Sequence, residues 1–153
     1  MMLLTACNGK SDQPAPSVPS ASLRVVHASP GAPTVDISVN GSSVKTHLNY
    51  GQATDAIIAK SGTISLAVLG RLPGTSRPAV IGPADVALAA NGVYAVLAVN
   101  NVAAIGPLVV ARETSTVAST SVRPQVVHAA PAAPPSRTYS RRQPYLRAII
   151  RFG

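Results

Sequence analysis

A nine-residue phrase occurs twice in this chain of 153 residues. Residues 25–33 read VVHASPGAP, and residues 126–134 read VVHAAPAAP. Aligning His27 with His128 gives a period of 101 residues, which is the size of a complete β domain and longer than a solenoid repeat. The repeat therefore predicts one domain over residues 23–118, followed by the start of a second, truncated copy over residues 119–134.

The composition favours a β fold. Trp is absent and Phe occurs once, so the core has to be built from Val, Ile, Leu and Ala. The 14 Pro and 11 Gly suit short strands joined by turns better than long helices. A single Cys excludes an internal disulfide framework, and about 100 residues suffice for a core without one.

The first residues are typical of a bacterial lipoprotein. Residues 1–7 end in Leu4, Thr5, Ala6 and Cys7, which resembles a lipobox, and the Cys7 thiol is the nucleophile that would accept a lipid. Only a fragment of a signal peptide precedes it, so we expect the true start to lie upstream. Asn8 after the cysteine implies sorting to the outer membrane. Residues 8–22 are polar and Pro/Ser-rich, which predicts a disordered linker between the anchor and the domain.

Short segments of alternating apolar and polar residues predict strands. Val35–Val39 alternates with period two, and Asn40 with Gly41 then predicts a hairpin. Two more hairpins are predicted at Ser61 with Gly62 and at Asn91 with Gly92. The Pro-rich and Gly-rich residues 70–83 predict a loop with one short strand. About eight strands follow in all, which is the pattern of an antiparallel β-sandwich of immunoglobulin-like or transthyretin-like type. The other predicted strands are 23–27, 44–48, 56–59, 63–69, 79–81, 85–88, 93–99 and 108–112.

These residues carry a resemblance to a known family. The opening motif comprises Val25, Val26, His27, Ala28, Ser29, Pro30, Ala32, Pro33, Val35, Asp36, Val39 and Gly41, and Tyr50, Gly51 and Gln52 follow it. Over roughly residues 23–112 the chain resembles the bacterial DUF4397 family. The resemblance implies a secreted or lipid-anchored β-sandwich domain, often found in tandem, and implies no reaction.

The motif residues are interpreted as structural. They are His27, Pro30, Pro33, Asp36 and Gly41. We expect His27 to end a strand and to form a hydrogen bond with the following turn. Asp36 is expected to face solvent or to cap that turn.

No catalytic constellation stands out, so the chain is predicted not to be an enzyme and to need no cofactor. Its three His are far apart and its Cys is assigned to the lipid, which leaves no metal cluster. A triad of His27, Ser29 and Asp36 is interrupted by Pro and turn residues. A pair of carboxylates among Asp36, Asp55 and Asp85 keeps an envelope hydrolase open as an alternative.

The positive charge is concentrated at the C-terminus. The formal net charge is +8, and the five Arg of residues 135–153 leave +3 for the rest of the chain. This tail has two interpretations, a frameshifted reading or a natural basic tail. The second would bind anionic lipid or nucleic acid, although two Tyr are too few to predict base stacking.

Three functional hypotheses follow. The first is a non-catalytic, lipid-anchored domain of the cell envelope with a structural or interaction role. Its glycan or protein ligand would contact the loops at residues 29–34 and 70–83, the second of which carries Arg71 and Arg77. The second hypothesis is the hydrolase, and the third is binding through the tail.

Overall fold

The structure, a computed structural model, describes residues 18–112 and 115–130 and the backbone of residues 148–149. The predicted signal with Cys7, most of the predicted linker and the side chains of the predicted tail lie outside the described residues. Eight strands form the domain: β1 (Ser20–His27), β2 (Val35–Val39), β3 (Ser42–Leu48), β4 (Ile57–Lys60), β5 (Gly62–Gly70), β6 (Ala79–Leu88), β7 (Val93–Val99) and β8 (Gly106–Ala111). The only helix within the described ranges is a 3₁₀ turn, Val102–Ala104.

The strands form a β-sandwich, as the sequence predicts. The first sheet has the order β4-β1-β7-β8, and the second has the order β3-β2-β5-β6. Alternate side chains of both sheets meet in one apolar cluster, because period-two strands direct every second residue inward. The largest wholly buried apolar side chains are Leu23, Ile37, Leu48 and Leu66. Strand β1 begins at Ser20, three residues before the predicted start of the domain.

One pair of neighbouring strands departs from the predicted antiparallel arrangement. Strands β1 and β7 are parallel, in register from Ser22 opposite Val93 to His27 opposite Ala98. The other neighbouring pairs within the two four-stranded sheets are antiparallel. Parallel neighbours need a long crossover, and here the chain passes through the second sheet between β1 and β7. Turn signals in the sequence describe only adjacent segments, so they could not predict this pairing.

Only one of the three predicted hairpins at Asn-Gly or Ser-Gly pairs is present. Asn40 and Gly41 adopt φ values of 49° and 78° and join β2 to β3 as expected. The hairpins predicted at Gly62 and at Asn91 are wrong, because β4 and β5, like β6 and β7, lie in different sheets. Turn residues favour a reversal of the chain, but the sheet that the next strand joins is decided by tertiary packing.

Strand β6 is longer than the short strand predicted within residues 70–83. It continues through Gly82 and Pro83, with a shift in its register with β5 between Leu66 and Val68. Gly82 has φ of 102°, and a Cβ atom there would lie 2.6 Å from the Leu66 carbonyl oxygen. Glycine therefore permits a bulge in a segment whose composition otherwise suggests a loop.

The described part of the second copy of the motif, residues 126–130, forms a small piece of sheet. Val126–Val127 forms strand β9, which pairs in parallel with β10, Ala148–Ile149. Gln125 donates a hydrogen bond from Nε2 to the carbonyl oxygen of Ala111 at 3.2 Å, near the end of β8. Residues 131–134 of the copy lie outside the described residues.

Candidate functional site

His27 forms the structural contact that the sequence predicts. It is the last residue of β1, and its side chain is buried. Nε2 lies 3.0 Å from the carbonyl oxygen of Pro33 and donates to it, because a carbonyl can only accept. Nδ1 is buried and has no hydrogen-bond partner among the described residues. His27 therefore ties the end of β1 to the turn that contains Pro30 and Gly31.

The segment around Tyr50 completes the surroundings of His27. The His27 amide donates to the Gln52 carbonyl at 2.9 Å, and the Gly51 amide donates to the His27 carbonyl at 2.8 Å. Gly51 has φ of 80°, which glycine adopts without strain. The Tyr50 ring meets the imidazole edge to face, with ring centres 6.0 Å apart. Tyr50, Gly51 and Gln52, which follow the motif in the sequence, therefore lie against its histidine.

Asp36 is buried, which corrects the expectation that it faces solvent or caps the turn. Its neighbours Val35 and Ile37 point into the core, so Asp36 points to the outer face of the second sheet. There Nη1 of Arg71 lies 3.1 and 3.0 Å from its two carboxylate oxygens, and Nη1 of Arg77 lies 2.5 Å from Oδ2. Only 3 % of the residue is exposed. Sequence periodicity assigned it to the outer face and could not show that this face is covered.

A bulge in β3 supplies the fourth hydrogen bond to Asp36. The β2–β3 register shifts on both sides of Ile37, and His47 adopts φ of 55°. Its amide donates to Oδ1 of Asp36 at 3.0 Å. A bulge leaves backbone groups outside the regular ladder, and the carboxylate satisfies one of them. Asp36 thus joins three elements: β2, β3 and the loop after β5.

These contacts decide the ionisation of Asp36. Burial raises the pKa of the carboxyl group, but the His47 amide, the hydrogen bond from Arg71 and the charges of Arg71 and Arg77 lower it more. The pKa is therefore below its ordinary value. Asp36 is a stable carboxylate at neutral pH, which is unsuitable for a general acid.

Arg71 and Arg77 are the residues whose role the sequence did not reveal. Arg71 is the first residue of the loop between β5 and β6 and Arg77 is its last but one, and their side chains are 27 % and 49 % exposed. The sequence identified this loop as a candidate surface but did not connect it with Asp36. The sequence did contain an indication of this pairing. Residues 18–112 contain only three acidic residues, so an arginine that is partly buried there has few possible partners. The site leaves two guanidinium charges against one carboxylate.

The other residues considered for catalysis are not brought together. Ser29 is wholly buried and donates a short hydrogen bond to the Asn100 carbonyl oxygen, so it shares no partner with His27 or Asp36. Asp55 and Asp85 are exposed. Asp85 pairs with Ser65 and Asp36 with Leu69, which separates them by four residues, or about 13 Å, along β5.

The described residues offer neither a metal site nor a membrane-spanning helix. They contain no group of three or more His, Cys, Asp or Glu arranged to hold a metal ion. Nor do they include a helix that is long and apolar enough to cross a membrane. Cys7 and the arginines of the predicted tail lie outside the described residues, so the lipid anchor and the binding role of the tail stay predictions.

Comparison with known proteins gives one match. Residues 21–138 match the family model DUF4397, described as a domain of unknown function. The matched region includes both copies of the repeated motif and all the residues around Asp36 and His27. No curated protein and no solved structure matches the chain.

Proposed function

Since the chain belongs to the DUF4397 family, a domain of unknown function, we propose that it is a non-catalytic module of the cell envelope. It is held at the membrane by a lipid on Cys7 and carried on a Pro/Ser-rich linker. Its domain acts in surface structure or in the recognition of a glycan or protein ligand. Its location is the outer membrane, where Asn8 after the lipidated cysteine directs it.

The proposal that the domain is not catalytic rests on the contacts of the motif residues. His27, Ser29 and Asp36 carry the groups that a nucleophilic or acid–base mechanism would need, and each is buried in a separate hydrogen-bonded arrangement. A reacting group has to reach the substrate and to share a proton with a neighbour. These side chains instead join strands to loops. Such a use favours a binding or structural domain over a hydrolase.

The linker supports display of the domain away from an anchor. Ten residues separate Cys7 from Val18, where the described chain begins and leads into β1. Pro14 and Pro16 favour extended backbone, and a chain of this kind spans roughly 3 Å per residue. The domain would therefore stand about 30 Å from the membrane surface, free to present its loops.

Metabolic labelling tests the proposal. The gene is expressed in its natural context with labelled palmitate, and the inner and outer membranes are separated. We expect label in the protein and recovery with the outer membrane. Cys7→Ser removes the chain's one thiol and should abolish both. Asn8→Asp is the matched variant, since it should keep the label and move the protein to the inner membrane.

Two results would contradict the proposal. Label that persists in Cys7→Ser would exclude this residue as the anchor. The second is hydrolysis of an envelope polymer by the purified chain. If that activity is lost in Asp85→Asn or Asp55→Asn while the fold is kept, the protein is a hydrolase and not a non-catalytic module.

A further inference from the structure

One end of the second sheet collects polar side chains from three neighbouring strands. Thr34 precedes β2, Asn49 follows β3 and Arg71 follows β5. Val35 pairs with both Leu48 and Gly70, so these three flanking residues lie side by side. The Arg71 amide donates to the Thr34 carbonyl at 2.8 Å, and the Thr34 hydroxyl donates to Oδ1 of Asn49 at 2.7 Å. We name this region the polar end; it comprises Thr34, Asn49, Tyr50, Gln52, Arg71 and Arg77.

Hydrogen-bond donors are in excess at the polar end. Oδ1 of Asn49 accepts from Thr34, and Oε1 of Gln52 accepts from the Asn49 amide at 3.0 Å. The side-chain NH₂ groups of both amides find no acceptor among the described residues. Arg71 and Arg77 use only Nη1 for Asp36, although a guanidinium carries five N–H donors. The surface is therefore suited to a ligand that is rich in acceptor oxygens.

The charge of the polar end indicates the class of anion. Two guanidiniums and one carboxylate leave a single positive charge, which a monoanionic group neutralises. A phosphate monoester carries nearly two negative charges at neutral pH, which is more than this single positive charge can neutralise. Asp36 already fixes both arginines, so a ligand loses less side-chain entropy on binding them than on binding free side chains. The planar guanidinium fork matches a carboxylate.

Tyr50 adds an exposed aromatic side chain at this end of the sheet. Its side chain follows Asn49 directly, and the residue is 60 % exposed. Its ring packs edge to face against buried His27. A tyrosine with an apolar body and a polar tip packs against the C–H face of a sugar ring while its hydroxyl stays in water. An exposed aromatic ring, side-chain amides and arginines at one end of the sheet are together suited to a charged sugar.

We propose that the polar end binds an acidic sugar of the uronic acid type. The sugar carboxylate binds the free N–H groups of Arg77 and Arg71, and its hydroxyl groups accept from the amides of Asn49 and Gln52. The sugar ring packs against Tyr50. The proposal rests on the interaction role given above and names the ligand class for it.

Titration of the full chain, followed by NMR, tests this site. The probe is trigalacturonate, and the neutral control is maltotriose. We expect the guanidinium signals of Arg77 and Arg71 and the side-chain amide signals of Asn49 and Gln52 to shift with trigalacturonate alone. Arg77→Gln should weaken binding about tenfold, the effect of losing one charge-assisted hydrogen bond. Arg77→Lys should also weaken it, because the charge remains without the fork.

Arg24→Gln is the matched control. Arg24 is exposed on β1 of the other sheet, so its loss changes the net charge equally and should leave binding unchanged. Asp36 keeps Arg71 and His47 in Arg77→Gln, and thermal unfolding verifies that the variant folds. Tyr50→Leu gives a second variant that leaves the arginines on Asp36 in place and should also weaken binding.

Three results would overturn the assignment. These are the absence of shifts at millimolar trigalacturonate, equal weakening by Arg24→Gln, and equal shifts with maltotriose or dimethyl phosphate. The last probe represents the phosphodiester of a lipid headgroup, which is also a monoanion. Loss of palmitate labelling does not affect this titration, so failure of the anchor and failure of the sugar site are distinguishable.

Discussion

The two copies of the repeated motif have nearly the same sequence and different structures. In the first copy, β1 has eight residues and lies between β4 and β7, and His27 is 1 % exposed. In the second, β9 has two residues and one parallel neighbour. His128 is only half-buried, and its Nδ1 accepts a hydrogen bond from the Ala130 amide at 3.3 Å. The His27 ring instead reaches Pro33, six residues further along the chain.

This difference shows that the motif does not specify its own conformation. The hydrogen-bond partners of the first copy come from distant positions. Residues 27–29 donate to the carbonyl oxygens of Gln52, Ala98 and Asn100. Asp36, the acidic residue of the motif, has its counterpart at Arg137 by the period of 101 residues. A strand in a sheet gains most of its stability from neighbouring strands. The motif therefore works as one part of a complete sandwich.

The largest expected effect is at Asp36, which the second copy lacks. Asp36→Asn should lower the free energy of unfolding by about 2–4 kcal/mol, because a buried carboxylate is replaced opposite two guanidiniums. The loss of stability is nearer about 2 kcal/mol if the partly exposed arginines regain hydration in the variant. Urea unfolding at neutral pH measures the loss. An unchanged stability would mean that the ion pairs at Asp36 do not hold the loop.

The pH dependence of the same variant gives a separate test. Burial raises the pKa of Asp36, but its hydrogen bonds and the two arginines leave it below the ordinary value. The stability that this carboxylate contributes is therefore complete above the unfolded-state pKa of about 3.9. It is lost as the pH falls through the lower pKa of the folded protein. The difference between wild type and Asp36→Asn should be constant above about pH 5 and shrink in stronger acid.

The next largest effect is expected at equivalent valines in the two copies. Val25 is 1 % exposed and Val126 is 44 % exposed. Val25→Ala should cost about 2–3 kcal/mol through lost burial and the cavity left behind. Val126→Ala should change the stability by less than about 0.5 kcal/mol. Thermal or urea unfolding of the pair measures both, and similar losses would show that the second copy also packs into a core.

The two histidines give a smaller contrast. His27→Leu removes the donor to the Pro33 carbonyl and should cost about 1–2 kcal/mol. His128→Leu should be close to neutral, since the ring is partly exposed and its hydrogen bond is local. Measuring the two variants under one set of conditions removes the effect of the substitution itself. A larger loss at His128 would reverse the comparison.

The smallest effect is expected for a substitution that makes the first copy more similar to the second. Ser29 corresponds to Ala130, and its hydroxyl donates to the Asn100 carbonyl. Ser29→Ala should cost about 1 kcal/mol, because one buried hydrogen bond is lost. Hydrogen exchange should also accelerate for the amides next to Asn100, since the hydroxyl no longer ties that segment to β1. Unchanged exchange would indicate that the backbone alone holds this loop.

Local patterns in the sequence were sufficient for much of the fold. The alternation at Val35–Val39 and the Asn40 and Gly41 pair predicted β2, its turn and β3, because each depends on adjacent residues. The pairing of β1 with β7 and the sheet joined by β5 could not be predicted in this way. They depend on contacts across tens of residues, which leave no periodicity in one sequence.

The same distinction applies to the candidate site. The contact of His27 with its own turn was predicted, since it spans six residues. Asp36 was expected to face solvent or to cap the turn, because polar residues on the outer face of a sheet are usually exposed. Its burial depends on Arg71 and Arg77, which lie 35 and 41 residues away. Long side chains that fold back over a sheet cannot be inferred from alternation.

The parallel pairing of β1 with β7 has a consequence for how the domain folds. The paired residues are 71 positions apart, as in His27 and Ala98, whereas β2 and β3 are joined by a two-residue turn. Closing long loops costs entropy before any contact compensates, so pairing at long range is slow. We therefore expect β2, β3 and β5 to associate early. During synthesis β1 can pair with β4 on one edge, but its other edge stays without a neighbour until β7 has been made.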